Sequence, residues 1–284
     1  MIELRDGEAW GSALSADGFA AIRSIGFEPV GQVFGAAVYQ LSSGGGVRCP
    51  GTGKRYARTS PEAPGTTFSA ASGQDIPGPA ARIAQALDEG RRTAIDRMTA
   101  ECVDLGGHGV VGASVQVREI PADAFSVGAI EFRVIGTAVR AGGCPPLATP
   151  FASDLSGQDF AKLVMAGWVA AGIAFGISIA ALHDDGLATG ASLQGMGNTE
   201  VLAYTDLMIN ARQDARSRLE DAVRGLGAEG VVVSGITLDV RSDPCHRGGT
   251  DHFAEAVITG TAMARFADKR DTAPRPSLAV RSLA

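Results

Sequence analysis

The stretch DPCHRGGTDHFAE gathers Cys245, His246, Asp251, His252 and Glu255 within one short segment. A thiolate and two imidazoles there are soft and borderline donors of the kind that hold Zn or Cu(I), so Cys245, His246 and His252 form the candidate metal site. Only one Cys is present, however, whereas a structural zinc takes four ligands. The plainer alternative is a polar hairpin whose His and Asp cap the turn. Phosphate chemistry fares worse. CPGTGKR, Cys49 to Arg55, has Arg48 where a phosphate loop needs Gly, and Arg55 where it needs Ser or Thr after Lys54. GMGNTE, Gly195 to Glu200, lacks the third glycine of a dinucleotide fingerprint. No GxSxG elbow occurs, so no catalytic residue is assigned. The reading is a non-enzymatic protein, with an enzyme whose site is assembled between subunits as the alternative.

Composition narrows the classes. The chain has 284 residues, 45% hydrophobic and 20% charged, which is a globular balance able to bury a core. The net charge of -6 and the lack of a Lys/Arg stripe argue against nucleic acid as a partner. MIELRDGEAW has no basic segment leading into an apolar one, so a cytoplasmic protein is expected. Cys49, Cys102, Cys144 and Cys245 lie far apart with no CxxC pair, which fits reduced thiols.

The elements that would position these residues come from an internal repeat. LSADGFAAIRSIGFEPVGQVFG, Leu14 to Gly35, and LSGQDFAKLVMAGWVAAGIAFG, Leu155 to Gly176, share Leu, Ser, Phe and three glycines at an offset of 141. Ala94, Arg97, Leu105, Gly106, Gly109, Val110 and Val111 match Ala215, Arg218, Leu226, Gly227, Gly230, Val231 and Val232 at an offset of 121. The copies end on GTAV at Gly136 and GTAM at Gly260. The excess in copy one falls near residues 41–80, dense in Gly, Pro and Ser, where a long mobile loop is expected.

The repeat also bears on the run Leu163 to Leu182, which carries no charge and is long enough to cross a bilayer. Its partner in copy one, GFEPVGQVFGAAV, contains Glu28 and Pro29, and two copies of one unit share one environment. A membrane is therefore not expected. Each copy reads as a short helix, Ser15–Ile25 and Ser156–Ala166, then a glycine-punctuated strand whose backbone a neighbour approaches closely. Apolar positions from Leu87 to Leu105 and from Leu207 to Leu226 follow helical spacing, and both helices stop at Leu-Gly. Alternating strands follow: Val111, Ala113, Val115, Val117, and Val232, Ser234, Ile236, Leu238. The fold expected is α+β, two tandem β-α-β-β units with a helix on an antiparallel sheet. The domains are 1–145, 150–266 and a tail, 267–284.

In this frame IPADAFSVGAIEF, the counterpart of the second hairpin, retains only Glu131, opposite Glu255. Cys102 falls on the apolar helix face and reads as core. His108 reads as a solvated surface residue, and His183 and Asp184 as an ordinary turn.

An Ala- and Met-bearing helix, then LGG or LGA, GVVG, a variable hairpin and GTAV resembles the YbjQ-like heavy-metal-binding domain family. The resemblance spans Leu14 to Val139 and Leu155 to Arg265, one unit in each copy. It implies dodecin-like units that assemble into homo-oligomeric rings, pentamers in single-domain members, and by the family's description a metal. The tail DTAPRPSLAVRSLA resembles the C-terminal cargo-loading peptides of encapsulin nanocompartments, which place Leu-x-Val/Ile-x-x-Leu after a flexible linker. Leu278, Val280 and Leu283 would then dock into a groove of the shell, and the protein would reside inside a nanocompartment.

Overall fold

A computed structural model describes residues 11–40, 68–69, 79–120, 129–145, 147, 149–184, 200–244 and 249–265. Two serines start the short helices. Ser15 Oγ accepts from Gly18 N at 3.1 Å and caps α1, Ala16–Ser24. Ser156 Oγ accepts from Asp159 N at 3.1 Å and caps α3, Gly157–Met165, so each satisfies one of the free first-turn amides. The strands β1, Phe27–Gln40, and β6, Trp168–Asp184, follow at once. The long helices are α2, Pro79–Asp104, and α4, Leu202–Gly225. Beyond them Gly106 and Gly227 take φ +68° and +66°, the left-handed geometry that the Leu-Gly pairs predict.

Each long helix leads into a hairpin: β3, Gly109–Ile120, with β4, Ala129–Ala141, and β7, Gly230–Pro244, with β8, Thr250–Arg265. Two further strands of two residues each, β2, Phe68–Ser69, and β5, Phe151–Ala152, complete the sheets. One sheet runs β1-β4-β3-β5 and the other β2-β6-β8-β7. All pairings are antiparallel except β3 with β5. The result is α+β. Apart from β2 and the start of α2, the loop expected near 41–80 lies outside the described residues, as does the tail 267–284.

The repeated glycines are where helix meets strand. A Cβ on Gly35 would overlap the Ala94 carbonyl oxygen, and one on Gly176 would overlap that of Ala215, so α2 and α4 ride directly on the backbones of β1 and β6.

The apolar run is divided between the end of α3 and β6. Along β6, Ile173, Phe175, Ile177, Ile179 and Ala181 join the core beneath α2, whereas Ala174 and Leu182 join the core beneath α4. A strand covered on both faces has no side on which a charge would be solvated, which is why the run carries none. Among the described residues no helix is long and apolar enough to cross a membrane.

The alternation expected for β7 is absent. Nearly all of its residues are exposed, including Val232, Val233, Ile236, Leu238 and Val240, because β7 is an edge strand that is covered only at its start, where Val231 packs on the core beneath α4. In β3 the alternation slips between Val111 and Ser114, around Gly112 at φ +67°.

The first half of the chain meets the second at the outer edge of β3. There Ser153 N donates to Val110 O at 2.9 Å, Ala113 N to Ser153 O at 2.9 Å, and Gly112 N to Leu155 O at 3.0 Å. Ile22, Val111, Val139, Leu155, Phe160 and Ala170 form a core cluster drawn from both halves.

Candidate functional site

The far end of the second sheet collects the polar residues. Register sets Leu182 opposite His252, His252 opposite Ser242, and His183 opposite Asp251. His252, Asp251 and Asp184 are buried. One ring nitrogen of His252, Nδ1, lies 2.7 Å from Ser242 Oγ, and the other, Nε2, lies 3.0 Å from the hydroxyl of Tyr204 in the first turn of α4. The Tyr204 and His252 rings meet edge to face, with centroids 4.7 Å apart. Asp184 Oδ2 lies 4.0 Å from His252 Nε2, and His183 Nδ1 lies 2.6 Å from Asp251 Oδ1. Burial first, and then the Asp184 charge, raises the Tyr204 pKa, which keeps its phenol protonated.

This differs from a turn at His183 and Asp184: both close β6 as part of a paired network. Tyr204 and Ser242 carry no signal in the sequence, since only the register brings them to His252.

The metal candidates divide. Cys245 and His246 lie outside the described residues, and His252 has both ring nitrogens engaged. Among the described residues no three His, Cys, Asp or Glu side chains converge as a metal site requires. Cys102 is buried as core; its Sγ lies 3.4 Å from Gly109 O, and burial pushes its thiol up to about 11, well away from the thiolate a metal binds. His108 is buried, in contrast to the surface position expected, because its Nδ1 accepts from Ala141 N at 3.1 Å and closes the end of the β3–β4 pair.

A second charged group sits between the two halves. Arg91 of α2 is buried, its guanidinium 5.6 Å from the Phe132 ring centroid and 6.0 Å from that of Phe175, and its Nη1 donates to Leu87 O at 3.0 Å. Glu255 of β8 faces it. Burial raises the Glu255 pKa and the charges of Arg91 and Arg241 oppose that rise. A cleft of about 430 Å³, bordered by Asp88, Arg92, Phe175, Ile177, Arg218 and Asp221, opens between α2, α4 and β6.

A family model for YbjQ, with the description "Putative heavy-metal-binding", matches residues 66–142. In the described part of that segment Cys102 and His108 are both buried, and no three His, Cys, Asp or Glu side chains converge there. The chain is also similar to the Encapsulin nanocompartment protein Rv1762c of Mycobacterium tuberculosis (strain ATCC 25618 / H37Rv). The two are 28% identical over 260 residues, which covers 89% of this chain and 85% of that protein.

Proposed function

We propose that this chain is the cargo of an encapsulin-type shell: a non-enzymatic, self-associating scaffold or binding protein of two tandem YbjQ-like units, loaded through its C-terminal segment. The likeness over 89% of the chain to a protein named for an encapsulin nanocompartment carries this reading. The tail pattern Leu278, Val280, Leu283 supports it independently, because three apolar side chains after a Pro-containing linker are what a groove on a shell wall would select.

The two-unit reading is supported by polar detail. Thr137 Oγ1 lies 3.3 Å from Ser12 Oγ and accepts from Ala13 N at 2.9 Å. Thr261 Oγ1 lies 3.1 Å from Ser153 Oγ and accepts from Asp154 N at 3.1 Å. Ser12 and Ala13 map onto Ser153 and Asp154 at the same offset of 141 that relates Leu14 to Leu155. A metal-handling role through Cys245, His246 and His252 is the second reading, favoured by the family description; it requires His252 to release Ser242 or Tyr204.

Loading is tested by fusing Ala273–Ala284 to an inert carrier and co-expressing it with an encapsulin shell. Co-purification of carrier with shell is expected, with loss on replacing Leu278, Val280 and Leu283 by Asp. A carrier that never enters the shell fraction defeats the reading.

A further inference from the structure

The junction between the two halves is one-directional: the second unit brings one surface and the first unit receives it with another. The second unit contributes segment 151–155, α3 and one face of β6; the first receives them on the outer edge of β3, on α1 and on α2. Each unit holds a counterpart of the surface that it does not use inside the chain. Those counterparts include several of the exposed apolar residues.

On the contributing side, Phe175 is 4% exposed and its counterpart Phe34 is 46% exposed; Ile179 is 7% exposed and its counterpart Val38 is 57% exposed. On the receiving side, Val111 is 0% exposed against Val232 at 36%. Buried Arg91 maps onto Arg212, which is exposed. The charges are repeated too: Arg91 faces Glu255 across the junction, and their counterparts Arg212 and Glu131 have the same signs, Arg212 exposed and Glu131 paired with the neighbouring Arg133 at 2.6 Å. Beside Val232 and Val233, a cleft of about 480 Å³ bordered by Leu155, Ser156 and Leu163 occupies the place that, in the first unit, segment 151–155 fills.

We propose that copies of this chain join head to tail by repeating, between chains, the junction that holds the two units of one chain together. The β7 edge and outer α4 face of one copy receive segment 11–14 and the Phe34 face of β1 from the next, and Glu131 of that next copy meets Arg212. A second copy is the fitting occupant because the surfaces already match within one chain. The inference rests on the two-unit reading and gives its self-association an address. A heterologous junction of this kind either closes into a ring or continues as a filament, according to the rotation at each step.

The full chain at micromolar concentration, weighed by native mass spectrometry, is expected at multiples of 29.0 kDa. Phe34→Asp and Val232→Asp, at positions exposed within one chain, are each expected to yield a folded monomer by circular dichroism and mass. Mixed in equal amounts, they should form a two-chain species, since each retains the end that the other has lost. A monomeric wild type, variants that assemble like wild type, or folded variants whose mixture stays monomeric would each overturn the junction. Phe175→Asp tests the two-unit reading separately: it should lower the melting temperature of the single chain, and an unchanged melt would break the equivalence of Phe34 with Phe175. Entry of the carrier fused to Ala273–Ala284 into a shell, which involves neither unit, is independent of all these outcomes.

Discussion

Glu255 shows how much of a residue's chemistry depends on where the sheet places it. In the hairpin it counts as a metal-type donor; in the fold it points between the two halves toward Arg91 and is partly desolvated. Burial favours its neutral form, so the native state holds a proton that the unfolded chain releases near the ordinary value of 4.5. Between that value and the raised one the native state binds more protons, and stability falls as pH rises through the window. Glu255→Gln is therefore expected to flatten the dependence of melting temperature on pH above about 4.5, checked by calorimetry across a pH series; a parallel slope in both proteins would refute the assignment. At this scale the sequence was legible where sterics dominate. The paired glycines predicted a close approach, and Gly35 and Gly176 lie against the carbonyls of Ala94 and Ala215. It was illegible where register decides: His183 and Asp184 form no simple pattern with Tyr204 or Ser242, and nothing local announces that His108 closes a strand end.

At the scale of elements, the four described helices were legible because the serine caps of α1 and α3 and the apolar stripes of α2 and α4 are local facts. The boundaries of α1 and α3 fall within a residue of the Ser-capped spans expected. Strands are a different case, since their burial depends on partners distant in the chain. β6 and β7 are both apolar, yet one is covered on two faces and the other is exposed from Val232 onward. The uncharged run of β6 thus reports double burial between α2 and α4. Truncating its α2-facing side should cost what a core residue costs: Ile177→Ala is expected to lose about 3 kcal/mol of folding stability. Urea unfolding in detergent-free buffer measures it. A loss under about 0.5 kcal/mol, the range of surface substitutions, would mean that this face is not core.

For the whole molecule, the same contacts that join the units also limit how copies can be counted. On the two-unit reading, rings of five units, the number the resemblance implies for single-domain members, cannot be filled, since two chains supply four units and three supply six. Assemblies of this chain on the proposed junction therefore hold an even number of units. The tail takes no part in that junction, whose surfaces all lie between residues 11 and 265, so loading and assembly should separate. Deleting residues 267–284 is expected to leave the native mass, corrected for the missing segment, at the same number of chains, while abolishing recovery with a co-expressed shell. On the loading reading, a shell groove would bind the segment through its three apolar side chains, and each assembled copy would add one more such segment at high local concentration. Loading should for that reason weaken, without vanishing, in the monomeric Phe34→Asp protein, which presents one tail instead of several. Equal loading of monomer and assembly would show that avidity contributes nothing, and loading that survives the deletion would place the shell contact on the folded units instead.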